Sequence, residues 1–197
     1  MNHSSLIALV AFAFVSSITP GPNNLMLMAS GANFGVRRTL PHMLGVGIGF
    51  TLMIVLVGVG LVGLFELWPV SFTILKIAGA AYMLWLAWKI ANASAPAASD
   101  TPAAARPMTF LQAALFQWLN PKAWTMTLTA VTVYAPHHDL ASVVLIAAIF
   151  GAINLPTVGI WAALGTVMQR WLTSPTRLRA FNWTMAALLV ASLVVAL

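Results

Sequence analysis

The chain has 197 residues, of which 61% are hydrophobic and only 6% charged, and its mean hydropathy is +0.94. This composition lies outside soluble globular usage and points to an all-α membrane protein. Nine Lys and Arg against three acids give a pI near 11.0, but the basic residues sit at the ends of apolar runs and no aromatic-basic motif accompanies them, so nucleic acid is not the expected partner. With no cysteine there is no disulfide framework and no thiolate metal site.

Apolar stretches long enough to cross a bilayer, each needing about 20 residues, run approximately over 5–34, 40–65, 69–91, 109–134, 140–168 and 179–197. The first is read as a span and not as a signal peptide, although its apolar core ends in Ser16 and Ser17. Its flank MNHSS carries no Lys or Arg, and apolar character continues through LMLMA past the prolines. That span is interrupted by TPGPNN at 19–24. Proline in a helix interior costs roughly 3 kcal/mol and glycine about 1, so Pro20, Gly21 and Pro22 predict an unwound segment near the midplane, with the helix restarting around Pro22. Such backbone is tolerated where it is buried in protein or lines a watery cavity. A restarted helix offers free N–H groups and a positive dipole end to an anion such as a carboxylate, and Asn23 and Asn24 add side-chain amides. The plainer alternative is a Pro-kinked packing helix.

Arg37 and Arg38 precede the second span, and His42 stands near its start. There it is either a pathway or coupling group titrating near neutral pH or an interfacial polar residue. Gly31 and Gly35, then Gly45 and Gly49, have four-residue spacing, and Gly58, Gly60 and Gly63 extend a small face suited to close helix packing. Lys76 lies about seven residues into the third span, where it either serves the pathway or snorkels to the outer surface. The linker at 91–107, rich in Ala, Ser and Pro, is expected to be mobile. It separates a first unit at 1–92 from a second at 109–197, with 93–108 between them.

In the fourth span Asn120, Pro121 and Lys122 make a second polar, Pro-containing break, flanked by Trp118 and Trp124 as candidate cavity walls. An ionised lysine at mid-span costs roughly 2.5–3.5 kcal/mol on insertion scales, so Lys122 should face the interior. The acids Glu66, Asp100 and Asp139 all lie in connections, so the spans themselves offer Lys122 no carboxylate. A substrate carboxylate fits that role. The neighbouring histidines of HHD at 137–139 do not make a metal site, because adjacent positions seldom converge. In the fifth span, Asn154 and Pro156 predict a further polar break, with Asn154 lining the path or bonding a neighbouring backbone.

Seven Lys and Arg fall in the first, third and fifth connections and none in the second and fourth, which predicts cytoplasmic odd connections and both termini outside. Three spans per half force the halves into opposite orientations. The expected architecture is therefore six transmembrane helices in two inverted three-helix repeats, with helices one and four interrupted by proline at matching positions, as in transporters built on inverted repeats.

TPGPNN followed by GANFGVRR and LGVGIGF, the stretch LKIAGAAYMLWLAWK, and FQWLNPKAW together resemble the lysine-exporter (LysE/RhtB) family of bacterial amino-acid exporters, over almost the whole chain. The similarity is nearest to its cysteine and O-acetylserine exporter branch. The resemblance implies six inner-membrane helices and outward transport of amino acids or related metabolites, driven by the proton gradient, with lipid as surroundings, no cofactor and no metal. It marks Pro20, Gly21, Pro22, Asn23, Asn24, Asn120, Pro121 and Lys122 as pathway residues. Many members carry Asp where this chain has Asn23, which takes a proton-relay carboxylate away from that position.

Two other classes were weighed against export. An intramembrane enzyme would need Ser16 or Ser17 as nucleophile with Lys76 as base, but no GxSxG, HExxH or paired Asp is present and serines in apolar helices commonly bond their own backbone. A non-transporting assembly or lipid-handling protein would leave the two matched breaks without a role. The small size and Gly-rich faces are compatible with a homodimer.

Overall fold

The computed structural model describes residues 2–61, 63, 67–93, 106–135 and 139–196. Glu66, Asp100, most of the linker, His137 and His138 fall outside them, so the expectations placed there stay with the sequence. Among the described residues the structure is helical and contains no strand.

The first helix, α1 (His3–Ile18), starts where the Asn2 side chain accepts from the Ser5 backbone N–H at 2.7 Å. It stops at Thr19, whose backbone is extended, and Gly21 is extended as well. The chain re-enters a helix at Pro22, where the missing donor costs nothing because it is one of the orphans of a first turn. The resulting α2 (Pro22–Phe34) is bent 49° from α1. Gly35, at φ 78°, lets the chain turn at once into α3 (Val36–Leu56), which passes into a π-helical turn over Val57–Leu61.

The next helix, α4 (Pro69–Ala91), again opens with proline. A capping box between Thr109 and Gln112 starts the short α5 (Phe110–Phe116), which tightens into a 3-10 turn at Gln117–Leu119. Asn120 is extended, and α6 (Pro121–Tyr134) begins on the following proline. The Asp139 side chain caps α7 (Leu140–Met168) by accepting from the Ser142 N–H at 2.9 Å. The last helix is α8 (Pro175–Ala196). It starts four residues before the expected span and takes Arg177 and Arg179 into its first turns.

Three segments among the described residues are long and apolar enough to cross a membrane unaided, Val36–Leu61, Thr73–Ala91 and Leu140–Met168, and the bent pair α1 and α2 makes a fourth. Apolar side chains cover much of the outer face, with Ile7, Leu52, Ile77 and Val133 more than half exposed, as a lipid-facing surface requires. Hydrocarbon gives no hydrophobic drive between helices, so close backbone approach has to hold the bundle together. Glycine supplies it. Gly31 meets the Ala162 backbone and Gly165 the Met28 carbonyl, which docks α2 on α7. Gly45 and Gly49 meet Phe110 and Ala114, which docks α3 on α5, and a Cβ on Gly49 would lie 2.5 Å from Ala114 Cα.

Two expectations about packing are corrected. Gly35, Gly60 and Gly63 have open space where a Cβ would stand. The small face therefore ends at Gly58 against Val143, and Gly35 and Gly60 are present for their positive φ. Asn154 and Pro156 do not break the fifth span either: α7 runs through both. The Thr157 hydroxyl donates to carbonyls of the preceding turn, Ile153 at 3.0 Å and Asn154 at 2.7 Å, and supplies hydrogen bonding beside the proline.

Candidate functional site

An α-helix leaves its last carbonyls without intrahelical partners, and the break at Thr19 leaves those of α1 to be capped from other elements. Three side chains from other elements satisfy them. Asn24 donates through Nδ2 to the Ser17 and Thr19 carbonyls, each at 2.8 Å, and Trp161 of α7 donates through Nε1 to the Ile18 carbonyl at 3.1 Å. Lys122 reaches across from the second break: its Nζ donates to the Thr19 carbonyl at 2.8 Å, the Thr19 hydroxyl at 2.9 Å and the Pro20 carbonyl at 3.3 Å. Asn154 adds a bond through Nδ2 to the Ser17 hydroxyl at 3.4 Å.

Glycine makes this junction possible. A Cβ on Gly21 would lie 2.6 Å from Lys122 Cδ and 3.1 Å from Nζ, so only a residue without a side chain admits the lysine stem. Beside it, Asn23 and Gln117 exchange hydrogen bonds, Nδ2 to Oε1 at 2.8 Å and Nε2 to Oδ1 at 3.2 Å. Gln117 also donates to the Ala113 carbonyl at 2.8 Å, which fixes its amide. On the other strand of the junction, the Asn120 side chain accepts from the Lys122 N–H at 3.1 Å and so caps α6. Gly21 offers α2 no such cap.

The two breaks therefore meet, and Pro20, Gly21, Pro22, Asn23, Asn24, Asn120, Pro121, Lys122 and Asn154 stand in one neighbourhood. Among them is a small cavity of about 20 Å³, lined by Asn24, Asn120, Lys122 and Asn154 among others, with room for a water. The Oδ1 of Asn154 is buried there without a partner. Next to it opens an apolar cleft of about 730 Å³ between the prolines of both breaks, Trp161 and Met185 of α8, with Lys122 on its wall. The larger space is the greasier one, and the amides and the lysine gather at the smaller one.

Lys76 and His42 lie elsewhere. Lys76 is exposed and lines a cavity of about 220 Å³ behind the second break with Trp118 and Trp124, whose rings stand edge to face at 5.8 Å. His42 is 1% exposed and adjoins a third cavity, of about 320 Å³, next to Lys89 and Arg106. It is not the interfacial residue its place near a helix end suggested. The serine and lysine of an enzyme do not come together either, since Ser16 is spent on the Phe12 and Ala13 carbonyls and Lys76 belongs to a different cavity.

Thr19, Gln117 and Trp161 complete the junction and were missed from sequence. Gln117 carried a signal, being an amide three residues before Asn120 in an otherwise apolar run. A fourth missed group is the buried pair Asn33 and Asn182, in which Asn33 Nδ2 donates to Asn182 Oδ1 at 2.9 Å and Asn182 Nδ2 to the Ala93 carbonyl at 2.9 Å, tying α2, α8 and the end of α4.

Apolar helices thus surround a junction of unwound backbone and polar side chains. The sequence profile of the LysE type translocator family matches residues 14–196, and the chain belongs to that family. It is 33% identical over 196 residues to a cysteine/O-acetylserine efflux protein of Klebsiella pneumoniae subsp. pneumoniae, covering 96% of this chain and 95% of that protein. It is 29% identical over 192 residues to the cysteine/O-acetylserine efflux protein of Escherichia coli strain K12, covering 96% of each. No solved structure matches the chain.

Proposed function

We propose that this translocator exports small zwitterionic amino acids or close derivatives from the bacterial cytoplasm across the inner membrane, with O-acetylserine-like molecules as the substrate class its relatives' names suggest. The observation that carries the mechanism is the contact of Lys122 with the end of α1. An ammonium has three protons to donate, and here all three point at neutral oxygens. A carboxylate is a better acceptor for an ammonium than a neutral carbonyl, because the two opposite charges attract. A zwitterion entering from the adjoining cleft can therefore insert into this contact. Its carboxylate takes Lys122 and the first amides of α2, while its own ammonium takes the Thr19 and Pro20 carbonyls that Lys122 releases. Each group exchanges one partner for another and none is left bare. Release of α1 from α6 is then the event that lets the two halves move, as rocking of one repeat against the other around a fixed site would require.

Support for two inverted repeats of three spans, at 1–92 and 109–197, comes from element order. Each half runs as a broken pair, a long helix and a last helix, and α3 packs on α7 and α4 on α8, as a two-fold between the halves would pair them. The positive-inside bias of the connections supports a reading with both termini outside. Proton coupling completes the reading, and no acid within the described spans is offered for it. One chain supplies every group of the site, so a homodimer would hold two complete copies.

Efflux of radiolabelled O-acetyl-L-serine from loaded proteoliposomes tests the proposal. Wild-type protein is expected to speed efflux over empty liposomes, with unlabelled amino acids that keep both charged groups competing. Efflux equal to that of empty liposomes for a panel of amino acids would refute it.

A further inference from the structure

An ammonium has three N–H donors, and the Thr19 and Pro20 carbonyls at the junction would take two of those of a bound amino acid. One acceptor nearby is still open. Asn154 lines the small cavity of about 20 Å³ and is 6% exposed, and among the described residues its Oδ1 has no hydrogen-bond partner. Its Nδ2 donates to the Ser17 hydroxyl at 3.4 Å, which sets the amide beside the end of α1. The residue stands on α7, which is unbroken here, and the Thr157 hydroxyl bonds its backbone carbonyl at 2.7 Å.

The neighbouring side chains of the cavity are engaged. Asn24 donates to the Ser17 and Thr19 carbonyls, Asn23 exchanges bonds with Gln117, the Ser16 hydroxyl donates to the Phe12 and Ala13 carbonyls, and Asn120 accepts from the Lys122 N–H. A buried acceptor left unmade is costly, and a native structure that keeps one calls for a reason. Space and chemistry supply it. The cavity has room for a water, and an ammonium group is of similar size. Gly21 and Lys122 line both this cavity and the apolar cleft of about 730 Å³. A molecule in the cleft can therefore pass a small polar head into the cavity while its side chain stays among Pro22, Trp161 and Met185. Replacing a water there is favourable when the incoming group restores its hydrogen bond. A carboxylate at position 154 would itself attract Lys122, whereas a neutral amide oxygen leaves the lysine to the substrate.

We infer that Asn154 reads the substrate's amine: its Oδ1 accepts the third N–H of the ammonium, seated in the small cavity, and so selects primary ammonium groups over N-alkylated and des-amino molecules. The inference rests on the export reading above. It adds a specificity role separate from the contact of the carboxylate with Lys122.

Equilibrium binding to the full chain in phosphatidylcholine nanodiscs is the test, with O-acetyl-L-serine, its N-methyl derivative, and 3-acetoxypropionate, which is the same molecule without the amine. Wild-type protein should bind the N-methyl derivative about ten-fold more weakly than the parent, or weaker still, the scale for losing a hydrogen bond to a charged group. Its two remaining donors suffice for the carbonyls, and the methyl group falls in a space the size of a water. Asn154→Ala and Asn154→Leu should each weaken O-acetyl-L-serine about ten-fold and leave 3-acetoxypropionate unchanged, whereas Lys122→Met should weaken both. A merely structural Asn154 would weaken the two molecules alike. Equal losses of both in either Asn154 variant overturn the amine assignment while export stands. So does equal wild-type affinity for the parent and its N-methyl derivative, a measurement that needs no variant to fold. Absence of wild-type efflux refutes the export reading itself.

Discussion

The two helix interruptions look alike in sequence and differ in what they leave open. At the first, Thr19 to Gly21 are unwound, the helices on either side diverge by 49°, and the α1 carbonyls are capped by side chains brought from Asn24, Trp161 and Lys122. At the second, a single extended residue separates the 3-10 turn from α6, and Asn120 caps the restarted helix itself. The first break thus provides acceptors that need donors and an α2 terminus that needs an acceptor. The second provides a cation. A zwitterion has complementary groups for both, so the asymmetry suits it better than two equivalent positive helix ends would.

Removing the cation gives the largest expected effect. Lys122→Met should lower efflux roughly 100-fold or more, the scale for truncating one member of a buried charged contact. Folded yield should stay near wild type, because Thr19 and Pro20 are exposed enough for water to replace the lysine. Proteoliposome efflux and size-exclusion profiles measure the two. Displacing the cation without removing it comes next: Gly21→Ala puts a methyl group against the lysine stem and should slow efflux on the order of 10- to 100-fold, the effect of moving a binding group by about 1 Å. If Gly21→Ala exports normally, the contact is incidental.

Asn24→Ala acts on the acceptors of the first break. It strips two bonds from buried carbonyls and should cost about 1–3 kcal/mol of stability, read as a lowered thermal midpoint in detergent. Asn120→Ala removes only a helix cap at the second break, worth about 1 kcal/mol, and should lower the midpoint least. A larger loss for Asn120→Ala than for Asn24→Ala would reverse the assignment of the two breaks.

Both breaks were legible because proline and glycine act locally. Pro20, Gly21, Pro22 and Pro121 mark where a helix stops and restarts. Lys122 was readable for a similar reason, since an ion in an apolar span must turn inward. Partner choice was not readable. The sequence suggested a substrate carboxylate for Lys122, whereas the structure shows it on the Thr19 and Pro20 oxygens, a contact between residues 103 apart in one case and 102 in the other. Pro156 shows the limit of the local rule, since α7 runs through it, packed closely against α2. His42 was misplaced at an interface because its burial depends on α4 and the chain before α5, which periodicity in α3 does not report.

The pairing of Lys122 with the substrate's carboxylate is the centre of the account, and one binding cycle addresses it. Affinities of O-acetyl-L-serine and its methyl ester, which lacks the carboxylate charge, are compared in wild-type protein and in Lys122→Met. Wild-type protein should prefer the acid by about 1.5 kcal/mol or more, the lower end for close charge pairs in such cycles, and Lys122→Met should lose most of that preference. An unchanged preference in Lys122→Met would contradict the account.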